Sequence, residues 1–539
     1  MSIIKSTFQV FQGLLNELKD YKYNKFRLIG NKVIGDLYKS KRIKYQTDKY
    51  IICDALWDNP HHWLRVAIFG PVLSDFLKAN LIGIYEKGTH HKILETLKSF
   101  DLDKYIKISP KIKRKHINQA KQLSKNIVTS ADIVNLDLPY NFPGQFLYDS
   151  ILKTEMVGNV DSKNNKISNY IAKLISYLEE YEEIIQWEKI SALVISHPVH
   201  FRFSTITNLA LRKGIPVYIL NYVNEYIAIR KLEKIEDWIA GSFENPNYQI
   251  IKNLPQFKKD YLEKVGKNYL NEVRSAKKGE VSTVGTFKQD NNDNFDKNKF
   301  LENLNLDIHK QTVVVMTGCW PDFPNLYPSD WYTDYVDWLK KTLDIIQEID
   351  NCNWIIKPHP AEFKYGAKTR MINFMKDIDK PNIVTWPNEL SSNYLNKIAD
   401  IVITSHGSAG VEYPAQGKPA LITKKTYFAD WGFVNFCSDY NDYKKKLNNI
   451  HKIKKPNLNS QKLAFIYIAT SICNASKINS KYLFEMGSKS NKLWPSIKNF
   501  VESNDRNILN EQNMMQSWLN SDIQSYNFFK SINYDLWEI

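Results

Sequence analysis

The chain has 539 residues, of which 43% are hydrophobic, and a formal net charge of +15 from 73 basic and 58 acidic residues. The apolar content excludes a disordered chain, and the length predicts more than one domain, because a single core stops growing at roughly 250–300 residues. The positive charge favours an anionic partner, such as a nucleotide, an anionic polymer or the inner membrane surface. A Lys-, Asn- and Ile-rich composition is equally the product of an AT-rich genome.

The N-terminal segment predicts an amphipathic helix and not a secretion signal. Glu17 and Asp20 interrupt its apolar residues, and no small-residue cleavage site follows. No run of about 18 uncharged apolar residues occurs, so no membrane-spanning helix is predicted. The five cysteines are scattered without a CxxC pair, which disfavours a disulfide framework. We therefore expect a cytoplasmic protein, with peripheral contact to the inner face of the plasma membrane left open.

The first half alternates buried-strand and helix patterns. Its predicted strands are residues 49–53, 81–86, 104–109, 190–198 and 216–222. A long helical stretch over 165–188 lies between the third and fourth of these strands. This alternation predicts a Rossmann-like domain over residues 1–276. Residues 277–300 are rich in Asn, Asp and Lys, which indicates a linker or flexible loop.

The second half shows the same alternation more regularly. Its predicted strands are residues 311–318, 353–360, 382–386, 400–408 and 418–423. They predict a second Rossmann-like domain over residues 301–456, and the tail, 457–539, is predicted to be helical and to pack back on the domains. The fold class is therefore α/β, with two Rossmann-like domains facing each other across a cleft. Ligands of such sheets bind at the carboxyl ends of the strands.

The turn after Thr404 is the most informative segment for chemistry. It consists of small residues that let a ligand approach the backbone, and its free N–H groups favour an anion. We expect a phosphate over residues 407–411. The Ser405 and Ser408 hydroxyls would donate to it, and Glu412 would accept from a ribose or a base. The alternative is an ordinary turn with Ser408 as helix N-cap. The candidate phosphate- or nucleotide-binding residues are Ser405, His406, Gly407, Ser408, Ala409, Gly410 and Glu412.

A second motif, Lys357-Pro358-His359-Pro360, ends the predicted strand 353–360, which we expect to neighbour the strand that carries the first motif. The prolines hold the backbone extended and stop further pairing. Lys357 and His359 would then neutralise a departing phosphate, which makes His359 a candidate catalytic residue. A loop histidine satisfied by its neighbours is the alternative.

The first half offers three candidates for a base that deprotonates an acceptor: Asp58, His197 and Asp149. Asp58 and His197 lie at the carboxyl ends of predicted strands, and Asp149 lies in a polar-aromatic segment where a structural role is the alternative. His61 and His62 lack a third ligand with suitable spacing, so we expect no metal and no other cofactor. No zinc finger, helix-turn-helix or RNA-binding signature appears, so we expect no nucleic-acid partner.

The pairing of WIIKPHPAE with TSHGSAGVEYPAQGKPAL resembles the C-terminal halves of bacterial capsule and lipopolysaccharide biosynthesis glycosyltransferases of the GT-B type. This group includes the capsule Kdo transferases and, more distantly, the HP-motif sialyltransferases and the CDP-glycerol glycerophosphotransferases. The first-half phrases SHPVHFRFSTITNLALRKGIPVYIL and GQFLYDSILK resemble capsule-synthesis proteins as well. The resemblance implies a GT-B-like fold in which His359-Pro360 and Ser405 to Ser408 hold a nucleotide phosphate. The acidic-acidic-Gly base motif of the sialyltransferases is absent from the first half.

We therefore expect a metal-independent glycosyltransferase that moves a sugar from a nucleotide-activated donor, of the CMP-Kdo type, to a growing surface glycan or glycolipid. The first domain would hold the acceptor and the second the nucleotide sugar. Three alternatives stay open: a CDP-glycerol-type polymer glycerophosphotransferase, a sugar-nucleotide epimerase and a non-catalytic glycan-binding partner. Fold analogy alone does not fix the substrate.

Overall fold

The computed structural model describes most of the chain. It covers residues 28–57, 60–88, 91–102, 104–164, 166–221, 227–239, 248–275, 287, 295–327, 329, 331–364, 366–387, 390–472, 499, 501–503 and 505–533. The predicted N-terminal amphipathic helix, most of the predicted linker and the candidate base Asp58 lie outside these residues. In the part of the chain that the structure describes, no helix combines the length and apolar character needed to cross a bilayer.

The first half is built around a six-stranded sheet in the order β3-β2-β1-β4-β5-β6. Neighbouring strands are parallel except for β5 and β6, which are antiparallel. The strands are β1 (Tyr50–Asp54), β2 (Asn80–Glu86), β3 (Tyr105–Ile108), β4 (Ile190–Ile195), β5 (Val217–Asn221) and β6 (Ala228–Leu232). The central strands are buried on both faces, which explains their nearly continuous apolar sequences. This order puts the topological switch point between β1 and β4.

Helices cover both faces of this sheet and extend beyond it. They are α1 (Pro60–Leu77), α2 (His91–Ser99), α3 (Arg114–Ser124), α4 (Ser130–Val134), α5 (Gly144–Glu155), α6 (Ile167–Ile184), α7 (Phe201–Arg212), α8 (Ile235–Ile239), α9 (Tyr248–Asn253) and α10 (Gln256–Arg274). Two hydrophobic cores result, one containing Phe69 and the other containing Phe146.

The second half repeats the arrangement with a six-stranded sheet in the order β12-β11-β10-β7-β8-β9, parallel throughout. The strands are β7 (Gln311–Met316), β8 (Cys352–Lys357), β9 (Ile383–Thr385), β10 (Ile401–Thr404), β11 (Ala420–Ile422) and β12 (Asn435–Phe436). Its helices are α11 (Lys297–Asn303), α12 (Tyr335–Ile346), α13 (Ala361–Lys364), α14 (Met371–Met375), α15 (Leu395–Ile398), α16 (Ala409–Ala415) and α17 (Tyr440–Asn448). The switch point of this sheet lies between β7 and β10.

The described end of the chain is helical and contacts both halves. It consists of α18 (Leu458–Tyr467), a π-helical turn (Ile468–Ile472), α19 (Asp505–Leu519) and α20 (Tyr526–Ile532). Helix α18 lies on α10 and α16, and Gly266 of α10 has no room for a Cβ because the Phe465 carbonyl oxygen would be 2.0 Å away. Helix α19 packs on α1 through Trp518 and Phe69, whose ring centroids are 6.1 Å apart.

The loop after β7 joins the two domains. Phe323 of this loop packs in the first domain's core, and its ring centroid is 5.0 Å from that of His197, which follows β4. The carboxyl edges of the two sheets therefore face each other. The predicted α/β class with two Rossmann-like, GT-B-like domains is confirmed by this topology.

Candidate functional site

A cavity of about 470 Å³ opens at the carboxyl edge of the second sheet. Thr317 after β7, Lys357 at the end of β8 and the turn after Thr404 of β10 all line it. These loops meet because parallel strands end at the same edge, and the cavity lies at the switch point between β7 and β10. Its volume is within the range of small-molecule sites, roughly 300–1,000 Å³.

Lys357 is the basic group of this cavity. Its side chain is 5% exposed, and its Nζ lies 5.9 Å from the centroid of the Trp386 ring. Burial lowers the pKa of Lys357 to about 8, and no described carboxylate pairs with it to offset this effect. A buried ammonium without a counter-ion is unfavourable, and an anion in the cavity would stabilise it.

This unpaired lysine predicts a pH dependence of anion binding. A nucleotide phosphate binds the protonated ammonium, which is the main form of Lys357 below pH 8 and the minor form above it. We expect the affinity for a nucleotide to fall by up to about tenfold per pH unit above pH 8. Calorimetric titrations between pH 7 and 10 test this, because phosphate monoesters, with a second pKa of about 6, are fully ionised there.

The variant Lys357→Arg is the matched control for this titration. A guanidinium keeps its charge throughout this pH range, so the variant should bind the nucleotide with little pH dependence. An equal decline in the wild type and the arginine variant would show that another group causes the loss.

His359 is held so that its Nε2 atom carries the proton. Its ring Nδ1 accepts a hydrogen bond from the Ala361 backbone N–H (3.1 Å), and the backbone N–H of His359 donates to Thr317 Oγ1 (3.1 Å). Burial lowers the pKa of His359 to about 4, so the ring is neutral at pH 7. A neutral imidazole with its proton on Nε2 donates to a phosphate oxygen but does not accept a proton from a hydroxyl. The geometry supports a phosphate-binding role for His359 and does not support a general base.

The turn after β10 contributes backbone donors. The N–H groups of Ser408 and Ala409 make no hydrogen bond within the described residues, whereas the N–H of Gly410 donates to the Gly407 carbonyl (2.9 Å). The Ser408 side chain is exposed and accepts no hydrogen bond from the backbone of α16. The alternative, in which the Ser408 hydroxyl caps this helix, is therefore not observed. Within the predicted anion site over 407–411, the backbone N–H groups available to an anion are thus those of Ser408 and Ala409.

Two predicted roles in this turn need correction. The Ser405 hydroxyl lies 2.9 Å from Tyr332 Oη, and Ser405 is 1% exposed, so this hydroxyl ties β10 to its neighbours instead of donating to a phosphate. Gly410 is required by side-chain packing and not by the close approach of a ligand. A Cβ at this position would lie 2.8 Å from Ile422 Cγ2 and 3.0 Å from the Phe428 ring.

His406 and Glu412 form parts of the cavity wall. The His406 ring stacks on Tyr335 with centroids 5.6 Å apart, and its Nε2 lies 3.3 Å from Tyr335 Oη. Burial and the nearby Lys424 lower the pKa of His406 to about 3, so it is neutral. Glu412 is half-buried on α16, where its carboxylate faces the same space.

His197 lies at the domain junction and not in the cavity wall. Its Nδ1 is 2.7 Å from the Val199 carbonyl oxygen, and its ring contacts Phe323. Burial lowers the pKa of His197 to about 4. These contacts give His197 a clear structural role, and its predicted role as a base stays untested.

Asp149 is placed where it cannot meet an acceptor. Its carboxylate is fully buried and accepts hydrogen bonds from the Asn325 N–H (3.0 Å) and Asn325 Nδ2 (2.9 Å). Burial raises the pKa of Asp149 to about 7, and the neighbouring Lys424 opposes this shift. Lys424 Nζ in turn donates to the Pro324 carbonyl. The structure therefore corrects the predicted base role: Asp149 joins the first domain to the loop after β7.

Asp322 of that same loop was not among the candidate residues predicted from the sequence. Its carboxylate lines the cavity and forms an ion pair with Lys153 of the first domain (3.0 Å). The signal in the sequence was its position just after the predicted strand 311–318. Trp320, which also follows this strand, is fully buried and donates from Nε1 to Glu362 Oε2 (3.0 Å).

The switch point of the first sheet is closed by side chains. Asp54 is fully buried, accepts a hydrogen bond from the Ser196 N–H and lies 3.7 Å from His62 Nε2. Across the residues with described positions, no three His, Cys, Asp or Glu side chains converge as a metal site.

Comparison with known proteins gives structural likeness alone. No family model and no curated protein matches the chain. Among solved structures, it is similar to the Thermosulfurimonas dismutans KpsC beta Kdo 2,7 transferase, at 14% identity over 56% of this chain and 84% of that one, with a TM-score of 0.33. The wall teichoic acid polymerase TagF is 11% identical over 91% and 98% of the two chains, with a TM-score of 0.23.

A third similar structure is the UDP-GlcNAc 2-epimerase from Neisseria meningitidis, at 13% identity over 80% of this chain and 98% of that one, with a TM-score of 0.23. Likeness at this level defines neither family nor activity, and a shared fold supports many functions.

Proposed function

We propose that the chain is a glycosyltransferase that transfers a sugar from a nucleotide-activated donor to a surface glycan or glycolipid. The observation that carries this proposal is the unpaired, buried ammonium of Lys357, which faces the same cavity as His359 and the Ser408–Ala409 turn. A phosphate in this cavity would satisfy a cation, an imidazole donor and two free backbone amides together. These are the groups that proteins use to hold a nucleotide phosphate.

The same groups suit the chemical step. When the bond between the sugar and the phosphate breaks, negative charge grows on the departing phosphate oxygen. Lys357 and His359 are already oriented by the ends of β7 and β8, so they stabilise this charge without reorganisation. Because both side chains are shielded from water, each interaction is stronger than it is at an exposed surface.

The donor that we propose is a CMP-linked sugar of the Kdo type. Lys357 is the single lysine or arginine among the described residues that line the cavity, and the histidines there are neutral. One positive charge matches the single negative charge of a CMP-sugar phosphodiester better than the two charges of a nucleoside diphosphate sugar. The sequence motifs, which resemble those of capsule Kdo transferases, support the same donor.

The acceptor would reach the donor from the first domain, across the junction between the two carboxyl edges. We propose that the transfer takes place in the cytoplasm without a metal ion or another cofactor. The net charge of +15 supports peripheral contact with anionic lipid at the inner face of the plasma membrane, where lipid-linked acceptors are exposed.

A thermal-shift screen tests the nucleotide preference. We expect CMP to raise the melting temperature more than CDP, UDP, GDP or dTDP at equal concentration. A ligand that binds only the native state at 100 times its Kd stabilises it by about 2.7 kcal/mol. A larger shift with UDP or GDP than with CMP would contradict the proposed donor.

Transfer assays with radiolabelled donors then test the reaction itself. Sugar incorporation into a glycan acceptor supports the proposal. Incorporation of glycerol phosphate from CDP-glycerol without sugar transfer would replace it with a polymerase function. Interconversion of nucleotide sugars without an acceptor would indicate an epimerase, and absence of any turnover by the wild type would indicate a binding partner.

A further inference from the structure

A transferase of this kind needs a group that removes the proton of the acceptor hydroxyl. The described residues that line the cavity include two carboxylates, Asp322 and Glu412. Glu412 belongs to α16 of the second domain, whereas Asp322 is ion-paired with Lys153 of the first domain. Asp322 is therefore the cavity carboxylate that lies where an acceptor enters between the domains.

The loop that carries Asp322 is fixed at both ends. The Asp322 N–H donates to the Cys319 carbonyl (2.9 Å), which closes a tight turn after β7. The next residue, Phe323, has a φ of +50°, in the left-handed region that is unfavourable for residues other than glycine. Packing of the Phe323 ring in the first domain's core holds this conformation. Such backbone strain persists where the surroundings enforce it, often at active sites.

The two histidines that line the cavity are unsuited to accept a proton. His359 carries its proton on Nε2, because Nδ1 already accepts the Ala361 N–H. His406 has one ring nitrogen near Ser405 Oγ and the other near Tyr335 Oη, both at 3.3 Å. Burial lowers the pKa of both His359 and His197, and the charge of Asp322 partly opposes this lowering in each, so its carboxylate is electrostatically close to the histidines of both domains. Its side chain is 48% exposed, which leaves an oxygen free for a substrate.

We propose that Asp322 is the general base of the sugar transfer; this inference rests on the proposed function. An Asp322 carboxylate oxygen takes the proton of the acceptor hydroxyl. The hydroxyl oxygen forms the new bond to the anomeric carbon of the donor sugar. The bond between that carbon and the phosphate oxygen breaks, and its electron pair leaves on the nucleotide phosphate beside Lys357 and His359. Lys153 positions the carboxylate between the two substrates.

The variant Asp322→Asn in the full-length protein tests this inference. The amide keeps the size of the side chain but does not accept the proton, so kcat should fall about 100- to 10,000-fold. The affinity for CMP, measured by calorimetry, should stay within about threefold of the wild type, because the phosphate groups are unchanged. The variant Asp322→Glu keeps a carboxylate and should recover part of the lost kcat.

Asp350→Asn is the matched control, because Asp350 precedes β8 at the opposite edge of the sheet and its side chain is 74% exposed. This control should transfer sugar at the wild-type rate. The inference is overturned if Asp322→Asn retains kcat within threefold of the wild type, or if its loss of rate is matched by a loss of CMP affinity. Failure of the proposed function looks different: the wild type itself would then transfer no sugar.

Discussion

Replacement of Lys357 by methionine is expected to lower the affinity for the donor nucleotide by roughly 30- to 3,000-fold. Removing one partner of a buried, hydrogen-bonded charge pair costs about 2–5 kcal/mol, and 1.4 kcal/mol corresponds to a factor of ten. Lys357 is the cation of the cavity, and the described residues offer no substitute at the end of β8. Calorimetric titration with CMP measures this loss.

The same substitution should have the opposite effect on the nucleotide-free protein. In the folded state the Lys357 ammonium is buried without a carboxylate partner. This burial disfavours the charged form and lowers the pKa of Lys357 to about 8. Methionine fills a similar volume without a charge, so the melting temperature of the free protein should rise or stay constant. Stability and nucleotide affinity therefore change in opposite directions, which a misfolded variant would not show.

Lys376→Met provides the control for this experiment. Lys376 is an exposed lysine at the end of α14 in the same domain. Its removal should leave both the CMP affinity and the melting temperature unchanged. If Lys357→Met binds CMP as tightly as this control does, the anion site lies elsewhere and the proposed function loses its main support.

Replacement of Lys530 by methionine should lower the free energy of unfolding by about 3–5 kcal/mol, the usual cost of breaking a buried ion pair. Lys530 of α20 and Glu511 of α19 are both fully buried, with the Nζ atom 2.5 Å from each carboxylate oxygen. The Tyr526 hydroxyl donates a third hydrogen bond to Glu511 (2.6 Å). Without Lys530, the Glu511 carboxylate would stay buried, with the neutral Tyr526 hydroxyl as its remaining described side-chain partner.

Denaturation by guanidinium chloride measures this effect, and two further variants sharpen it. The double variant Glu511→Leu with Lys530→Met removes both charges and should be more stable than Lys530→Met alone. Lys462→Met breaks an exposed ion pair with Asp260, which should cost at most about 1 kcal/mol. If Lys530→Met were no more costly than Lys462→Met, the buried pair would not stabilise the contact between α19 and α20.

The strands of the second domain were predictable because their sequences are continuous apolar runs. The predicted runs 311–318 and 400–408 contain β7 and β10. Each run extends beyond the end of its strand into the loop that lines the cavity. Two strands were missed for physical reasons. β6 has no continuous apolar run because it contains Arg230 and Lys231, and β12 is only two residues long.

The site was predictable to the extent that it depends on strand ends. Lys357, His359 and the Ser408 turn line one cavity, as the rule that parallel strands end together predicts. The expectation that their two strands are neighbours was wrong, because β7 lies between β8 and β10. The rule did not reveal partners from distant parts of the chain. Asp149 resembled a free carboxylate in the sequence, but Asn325, 176 residues away, accounts for its hydrogen bonds. Asp322 was missed because its importance depends on where the first domain lies.

The packing of Phe323 in the first domain also links the position of Asp322 to the way in which the two domains are packed together. The turn that presents Asp322 is part of the second domain's chain but is fastened within the first domain by the Phe323 ring. Lys357 and His359, by contrast, are fastened to β8. In the proposed reaction, the distance between the Asp322 carboxylate and a phosphate held by Lys357 and His359 therefore depends on how the two domains pack against each other.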